Sequence, residues 1–154
     1  MITSYDLAIA APVEVVFDTA SDVGAMPRFT RDVESMEFLT PAPVRLGSRV
    51  RDTRRLLGVR RSQVISFPLF ERPDRFVARF AIGGVTFESD HRVDATTQGA
   101  RLLIAVDVVD AAGIGHFLRY GVPLAAALVR YGIRREIEDI KVEAERRWSI
   151  SPRG

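Results

Sequence analysis

The spacing of apolar and polar residues divides the chain into segments with two different periods. Residues 2–9 alternate between apolar and polar side chains, and a period of two predicts a half-buried strand. Pro12 then opens a helix at a position where its missing N–H is harmless, and an apolar stripe with helical spacing follows. A second short helix is bounded by Gly24 and Pro27, so two helices are expected after the first strand.

From Val33 to about Asp110 the period is two again. Turn-forming residues separate six candidate strands, which span residues 33–40, 48–57, 59–71, 75–82, 85–95 and 100–110. Because the links between them are short, consecutive strands are expected to pair antiparallel. One face of this sheet is apolar and the other is polar, as in a sheet that covers a core on one side only.

A single long helix is predicted from about Ile114 to Arg147, with a kink at Pro123. The second half is amphipathic. Its apolar face is formed by Ile133, Ile137, Ile140, Ala144 and Trp148. Glu136, Glu138, Asp139, Lys141 and Glu143 are expected on the solvated face. The first half is apolar around nearly its whole circumference.

The composition indicates a single globular domain. Of 154 residues, 47% are hydrophobic and 27% are charged, which are ordinary values. We expect one domain over residues 1–150, followed by a tail at 151–154. No apolar run is long enough to span a membrane, the first residues do not resemble a signal peptide, and cysteine is absent. These features predict a cytoplasmic protein without disulfides or thiolate metal sites.

Positive charge is concentrated in one predicted hairpin, residues 45–61, which contains seven arginines and one acidic residue, although the net charge of the chain is only +2. Arg54 and Arg55 fall on opposite faces of its first strand. Arginines that point inward would pair with an anionic head group. Arginines that point outward would form an interaction module for a phosphate-bearing or acidic partner, including the ribosome, or would only protect a sheet edge from aggregation. Nucleic-acid binding is not expected, because no aromatic residue is interleaved.

Several stretches point to a known family. They are APVEVVFDTASD after the first strand, MPRFTRDVESMEFL before the second, Gly47, and IEDIKVEAERR in the last helix. Together with the order of elements, they are similar to the START-like helix-grip superfamily (SRPBCC), in its polyketide cyclase/dehydrase and lipid transport branch. The resemblance implies an α+β helix-grip fold: a seven-stranded curved antiparallel sheet wrapped around a long C-terminal helix, with two short helices between strands 1 and 2. It also implies a cavity between the sheet and that helix.

The position of this cavity is predicted from the last helix. Its buried stripe, followed backwards from Ile133 at about 100° per residue, reaches Ala125 and Ala126, whose small side chains would leave space under the helix. We expect the space to bind a hydrophobic small molecule, such as a lipid, an acyl chain or a polyketide-like compound. The predicted ligand-binding residues are Met26, Phe29, Phe76, Phe80, Phe87, His91, Ile104, Val106, Phe117, Tyr120, Gly121, Val122 and Ala125. The alternative is that phenylalanines fill the space as an ordinary core.

His91 is the candidate catalytic residue. It shares the alternation of the apolar face, so it is expected to reach the cavity and to anchor a polar group or act as an acid–base residue. An acid–base role would make the protein a cyclase, aromatase or dehydrase; a structural histidine is the alternative. His116 is the other histidine, and neither lies in a metal-ligand motif. We therefore expect no metal and no cofactor.

The first half of the last helix has a second apolar face, which would point away from the sheet. An exposed residue of this kind forfeits about 1.5–3 kcal/mol relative to burial, and a contiguous patch usually marks a partner surface. Leu124, Leu128 and Tyr131 are therefore predicted to form a homodimer contact, with Phe117 and Tyr120 at the cavity entrance. The alternative is that the kink at Pro123 encloses both faces.

Overall fold

The computed structural model describes residues 1–111 and 121–152 of the chain. Within these ranges it contains seven strands, three α-helices and a short 3-10 helix at Val23–Ala25. The strands are β1 (Thr3–Ile9), β2 (Val33–Phe38), β3 (Arg49–Leu56), β4 (Val59–Glu71), β5 (Arg75–Ile82), β6 (Val85–Thr96) and β7 (Gly99–Asp110). The helices are α1 (Val13–Ser21), α2 (Met26–Phe29) and α3 (Gly121–Ile150).

The strands form one antiparallel sheet in the order β1-β7-β6-β5-β4-β3-β2. The long final helix lies against its apolar face, and this arrangement confirms the predicted helix-grip fold. The predicted strands agree with the structure to within two residues at each end. The largest difference is in β2, which ends at Phe38 shortly before Pro41, since proline cannot donate to a strand ladder.

The core consists of alternate residues of the sheet and one face of α3. On β5, Phe76, Ala78, Phe80 and Ile82 are all buried, as the period of two predicts. On α3, Ile133, Ile137, Ile140 and Ala144 are buried and Trp148 is half-buried. The predicted apolar face of the second half is therefore confirmed.

The boundaries of the last helix differ from the prediction at both ends. It continues to Ile150 instead of ending at Arg147. At its other end, residues 114–120 lie outside the described residues. Pro123 is the third residue of the helix as described, and the kink expected there stays a prediction.

Ion pairs hold α3 against the segment between α1 and β2. Arg135 contacts Asp32 at 2.8 Å, and Arg147 contacts Asp22 at 3.0 Å. The open edge of β1 also receives donors from α3, since Lys141 Nζ donates to the Ala8 carbonyl at 3.0 Å. These contacts thus hold the helix at both margins, over the inner face of the sheet.

Candidate functional site: a cavity under the C-terminal helix

A cavity of about 60 Å³ lies between α3 and the inner face of strands β2–β6. Its described wall consists of Ala20, Val23, Met26, Met36, Arg54, Leu56, Gln63, Ile65, Phe67, Phe76, Ala78, Phe80, Ile82, Ser89, His91, Leu128, Val129, Gly132, Ile133 and Glu136. Most of these side chains are apolar. The polar ones form two groups, one around His91 on β6 and one around Arg54 on β3.

Four of the predicted ligand-binding residues line this cavity, namely Met26, Phe76, Phe80 and His91. Leu128, which was predicted to be an interface residue, also lines it. The role of the four predicted residues in binding stays a prediction.

The other predicted residues lie elsewhere. Phe87, Ile104, Val106 and Ala125 are buried in the core, but none of them is in the cavity wall. Phe29 and Val122 are half-buried and do not line it either. Phe117 and Tyr120 lie outside the described residues, and Gly121 is described only as the first residue of α3.

The cavity therefore lies one to three helical turns beyond the alanines that were expected to roof it. Ala125 and Ala126 are each 5% exposed, and Ala125 belongs to the continuous core. A small side chain leaves a void only where the backbone keeps its distance from the opposite layer, because protein interiors otherwise close to native packing density. Ala125 is enclosed by the core, whereas Gly132 lines the cavity.

One wall of the cavity consists of stacked aromatic rings. Phe76 stacks on His91 with the ring centroids 4.2 Å apart and an interplanar angle of 12°. Phe80 stacks on Phe87 behind it, with the centroids 5.6 Å apart. Phe17 packs its edge against Phe76, which holds that ring from the other side. Such packing fixes the rotamers of the wall before any guest enters.

His91 presents a hydrogen-bond acceptor to the cavity. The ring is 3% exposed, and its Nδ1 lies 3.2 Å from the Ser89 carbonyl oxygen. Because a carbonyl can only accept, this contact assigns the proton to Nδ1 and leaves Nε2 with its lone pair. Burial lowers the pKa of His91 from 6.5 to about 4, so the ring is uncharged near neutral pH.

The second polar group, here called the acidic cluster, consists of Asp52, Arg54, Gln63 and Glu136. Arg54 Nε donates to Asp52 Oδ2 at 2.7 Å, and Arg54 Nη1 approaches Glu136 Oε1 at 3.5 Å. Gln63 donates to the same Asp52 oxygen at 3.1 Å. Three of these side chains line the cavity, and Asp52 lies behind them, fully buried.

The acidic cluster was not predicted, and Glu136 was wrongly assigned to the solvated face. It is 9% exposed, because it lies only about 60° around the helix from Ile133, at the margin of the buried stripe. The sequence could have placed Asp52 and Arg54 on the inner face, since they lie on the same face of β3 as the buried residues Val50 and Leu56. Glu143, also placed on the solvated face, is buried as well and holds Arg146 and Arg147.

The charges of the acidic cluster do not balance. Two carboxylates share a single guanidinium, and Asp52 Oδ1 is buried with no hydrogen-bond partner among the residues that the structure describes. Burial raises the pKa of Glu136; Arg54 opposes this shift, and the negative charge of Asp52 adds to it. The wall around Arg54 is therefore poor in positive charge despite its arginine.

The outward arginines of the hairpin are mostly paired. Arg51 contacts Glu37 at 3.0 Å, and Arg55 and Arg60 both contact Glu34, at 3.3 and 2.8 Å. Pairing of this kind reduces the positive field that an acidic partner would meet. The structure thus places Arg54 inside, and these three paired arginines on the outer surface of the same hairpin.

Neither a metal centre nor a membrane-crossing helix is seen in the described parts of the chain. Within residues 1–111 and 121–152, histidines and carboxylates do not gather into a group of three that could hold a metal ion. His116 lies outside these ranges. The described helices also include none with the length and hydropathy needed to cross a membrane.

The fold is similar to that of several solved structures. The ZhuI aromatase/cyclase from Streptomyces sp. R1128 is 19% identical over 94% of this chain and 93% of its own, with a TM-score of 0.79. A protein of Thermus thermophilus is 17% identical over 97% of this chain and 99% of its own, with a TM-score of 0.73. The di-domain ARO/CYC StfQ from the steffimycin biosynthetic pathway is 13% identical over 96% of this chain and 52% of its own, with a TM-score of 0.76. Identities this low show the fold alone.

The sequence comparisons identify the family. No curated protein matches the sequence. Residues 3–145 match the family model described as "Polyketide cyclase / dehydrase and lipid transport". The match spans the whole sheet and most of α3, and so includes every described residue of the cavity wall. The chain belongs to the polyketide cyclase / dehydrase and lipid transport family.

Proposed function

We propose that the protein binds a hydrophobic small molecule that carries a hydrogen-bonding group, in the cavity between the sheet and α3. The observation that carries this proposal is the composition of the cavity wall. An apolar and aromatic lining is interrupted by a few polar groups, an arrangement typical of small-molecule sites. His91 Nε2 offers an acceptor on one side, and the Arg54 guanidinium offers donors on the other.

The present volume limits how a guest enters. Typical small-molecule sites have volumes of roughly 300–1,000 Å³, several times the 60 Å³ found here. A guest must therefore displace side chains. Met26 and Met36 are suited to this, because both line the cavity and methionine is unbranched and flexible. The stacked rings of Phe76 and His91 are expected to keep their places.

The test is uptake of a neutral hydrophobic dye, Nile red, by the purified protein, together with native mass spectrometry for molecules that co-purify. Ala78→Leu should occlude the cavity and weaken dye binding at least tenfold, since Ala78 lines it. Ala81→Leu is the matched control, because Ala81 is exposed on the outer face of the same strand. Absence of saturable dye binding, or equal binding by both variants, would contradict the proposal.

The second candidate function is catalysis of a cyclase, aromatase or dehydrase type on a polyketide-like substrate. The position of His91 favours it, because an acceptor nitrogen in an apolar wall can orient or deprotonate an enolic hydroxyl. A ring with a pKa of about 4 is a weak base at neutral pH, so orientation is the stronger part of this role. His91→Phe should abolish turnover of a poly-β-ketone substrate while the ring stack with Phe76 persists.

Association of two copies through Leu124, Leu128 and Tyr131 stays a prediction. Leu124 is 66% exposed, which suits a contact surface. Leu128 lines the cavity instead, and Tyr131 is half-buried beside the Arg135 guanidinium, 5.2 Å from its ring centroid. Light scattering of the wild type and of Leu124→Ser tests it: a dimer that dissociates in the variant is the expected result, and a wild-type monomer would overturn it.

A further inference from the structure

We propose that the cavity accepts uncharged guests and rejects carboxylates, because its one described lining cation is already shared by two buried carboxylates. The inference rests on the proposed binding function and concerns the chemical class of the guest. It reverses the expectation that an inward arginine of this hairpin would hold an anionic head group.

The first step is the position of Arg54. Its side chain is 13% exposed, and that of Asp52, its closest partner, is 0% exposed. An arginine–carboxylate contact of 2.7 Å in such surroundings is a charge-assisted hydrogen bond that solvent hardly screens. The positive charge of Arg54 is thus already neutralised by Asp52.

The second step is Glu136, whose side chain is 10% exposed and adds a further acidic group to the same wall. If it is ionised, the cluster carries a net negative charge. If it is protonated, the cluster is neutral and acquires a carboxylic acid donor. In neither state does the wall hold an uncompensated positive charge with which to pair an incoming carboxylate.

The third step is the opposite wall. His91 is neutral, its Nδ1–H is used by the Ser89 carbonyl, and it offers only an acceptor. An acceptor can bind a hydroxyl group but repels a carboxylate. A neutral guest therefore fits both ends, with a hydroxyl group toward His91 and a carbonyl or hydroxyl oxygen toward the N–H groups of Arg54.

A further cation beside the acidic cluster is Arg61. It faces Arg54 across β3 and β4 in the same register and is half-buried, but it does not line the cavity. Its positive charge repels that of Arg54. Arg61→Gln is therefore expected to leave the preference for uncharged guests unchanged.

The experiment compares 2-naphthol with 2-naphthoate, which are similar in size but differ in charge near neutral pH. Their own fluorescence reports binding to the wild-type protein. We expect 2-naphthol to bind at least tenfold more tightly than 2-naphthoate. In Glu136→Gln, which keeps the shape and a hydrogen bond to Arg54, the ratio should fall at least threefold if Glu136 is ionised, and should stay the same if Glu136 is protonated and Asp52 alone neutralises Arg54. Glu138→Gln is the matched control, since Glu138 is exposed on the same helix and its loss changes the net charge equally; the ratio should not change.

The outcomes are separable. If 2-naphthoate binds the wild type as tightly as 2-naphthol does, charge selection is wrong and the binding function stands. If the ratio falls equally in Glu136→Gln and Glu138→Gln, the selection comes from the overall charge, and the role of the acidic cluster is overturned. If neither probe binds and Nile red does not bind either, the binding function fails and this inference with it. The wild-type comparison needs no variant, so the test does not depend on the folding of Glu136→Gln.

Discussion

The buried side of α3 is filled along one flank and hollow along the other. On the filled flank Ile137, Ile140 and Ala144 are at most 2% exposed and pack into the continuous core. On the hollow flank Gly132 and Glu136 face the cavity. The filled flank consists of residues that stabilise a packed helix.

The hollow flank and the wall opposite it, by contrast, contain three features that each disfavour folding. They are a glycine inside a helix, a carboxylate removed from water and, across the cavity, a histidine kept neutral by burial. Local departures from stable packing are expected at functional sites, where they serve binding. The contrast therefore supports the assignment of the cavity as the site, and the following predictions test it.

The largest effect is expected at Arg54. Arg54→Met removes the shared cation and leaves two buried carboxylates uncompensated, and loss of one partner of a buried pair costs roughly 3–5 kcal/mol. Urea denaturation measures the free energy of unfolding. Arg55→Met is the control on the outer face, where the pair with Glu34 is exposed to water and its loss should change stability little. Equal losses in both variants would show that the cluster does not carry buried charge.

The next prediction contrasts the two flanks directly. Ile140→Ala should destabilise the protein by roughly 2–5 kcal/mol, because Ile140 is fully buried in the filled flank, but should leave 2-naphthol affinity unchanged. Ile133→Ala should change the affinity, since Ile133 lines the cavity and its truncation enlarges it. Unfolding curves and binding titrations of the two variants provide both measurements. A larger change in affinity for Ile140→Ala than for Ile133→Ala would contradict the comparison.

His91 predicts a pH dependence of stability. The pKa of its ring is about 4 in the folded protein and 6.5 when burial is absent, so below pH 6.5 the unfolded chain takes up a proton that the folded chain does not. Stability contributed by the neutral ring is therefore present above pH 6.5 and is lost as the pH falls toward 4. At about 1.4 kcal/mol per pKa unit the loss reaches about 3 kcal/mol.

The measurement is the free energy of unfolding of the wild type and of His91→Phe between pH 4 and pH 7. The substitution keeps an aromatic ring on Phe76 and removes the titration, so the difference between the two proteins isolates this one group from the carboxylates. The wild type should lose stability faster toward acid. Parallel curves would mean that His91 is protonated as easily in the folded protein as in the unfolded chain.

The sequence predicts the fold well because the fold depends on local periods. The alternation in β5 and the helical spacing of Ile133, Ile137 and Ile140 are properties of neighbouring residues, and both are confirmed. The same reasoning put His91 and Phe80 on the inner face of the sheet, since alternation decides which face of a strand a side chain shares, and both line the cavity; their role in binding stays a prediction.

Local alternation could have placed Asp52 and Arg54 on the inner face of β3, but it could not identify their partner Glu136 or the position of the cavity. A charged residue is predicted to be exposed unless a partner for its charge can be identified. Arg54 and Glu136 are 82 residues apart, so nothing in the sequence indicates that they are partners. The cavity depends on the distance between two layers, which no local pattern specifies. Ala125 was expected to leave space under the helix, but it is buried in the core. Gly132, for which no role was predicted, lines the cavity.

Gly132 gives the smallest but most specific prediction. It lies in the interior of α3, where glycine costs roughly 0.5–1 kcal/mol relative to alanine. A Cβ added there would meet only the Cδ atoms of Leu56, at 3.4 and 3.5 Å, so an alanine fits with ordinary contacts. Among the described residues, neither backbone geometry nor close packing requires the glycine, and its missing side chain leaves room in the cavity.

Gly132→Ala should therefore raise the free energy of unfolding by up to about 1 kcal/mol and weaken 2-naphthol binding. The same methyl group would thus increase stability and reduce affinity. Gly132→Leu should weaken binding further and lose the gain in stability. Denaturation and fluorescence titration of the same samples provide both measurements. A loss of stability in Gly132→Ala would mean that the layers are in tighter contact than the 3.4 Å distance indicates. A gain in stability with unchanged affinity would mean that the guest does not use the space beside Leu56, and the hollow flank would then no longer be the binding surface.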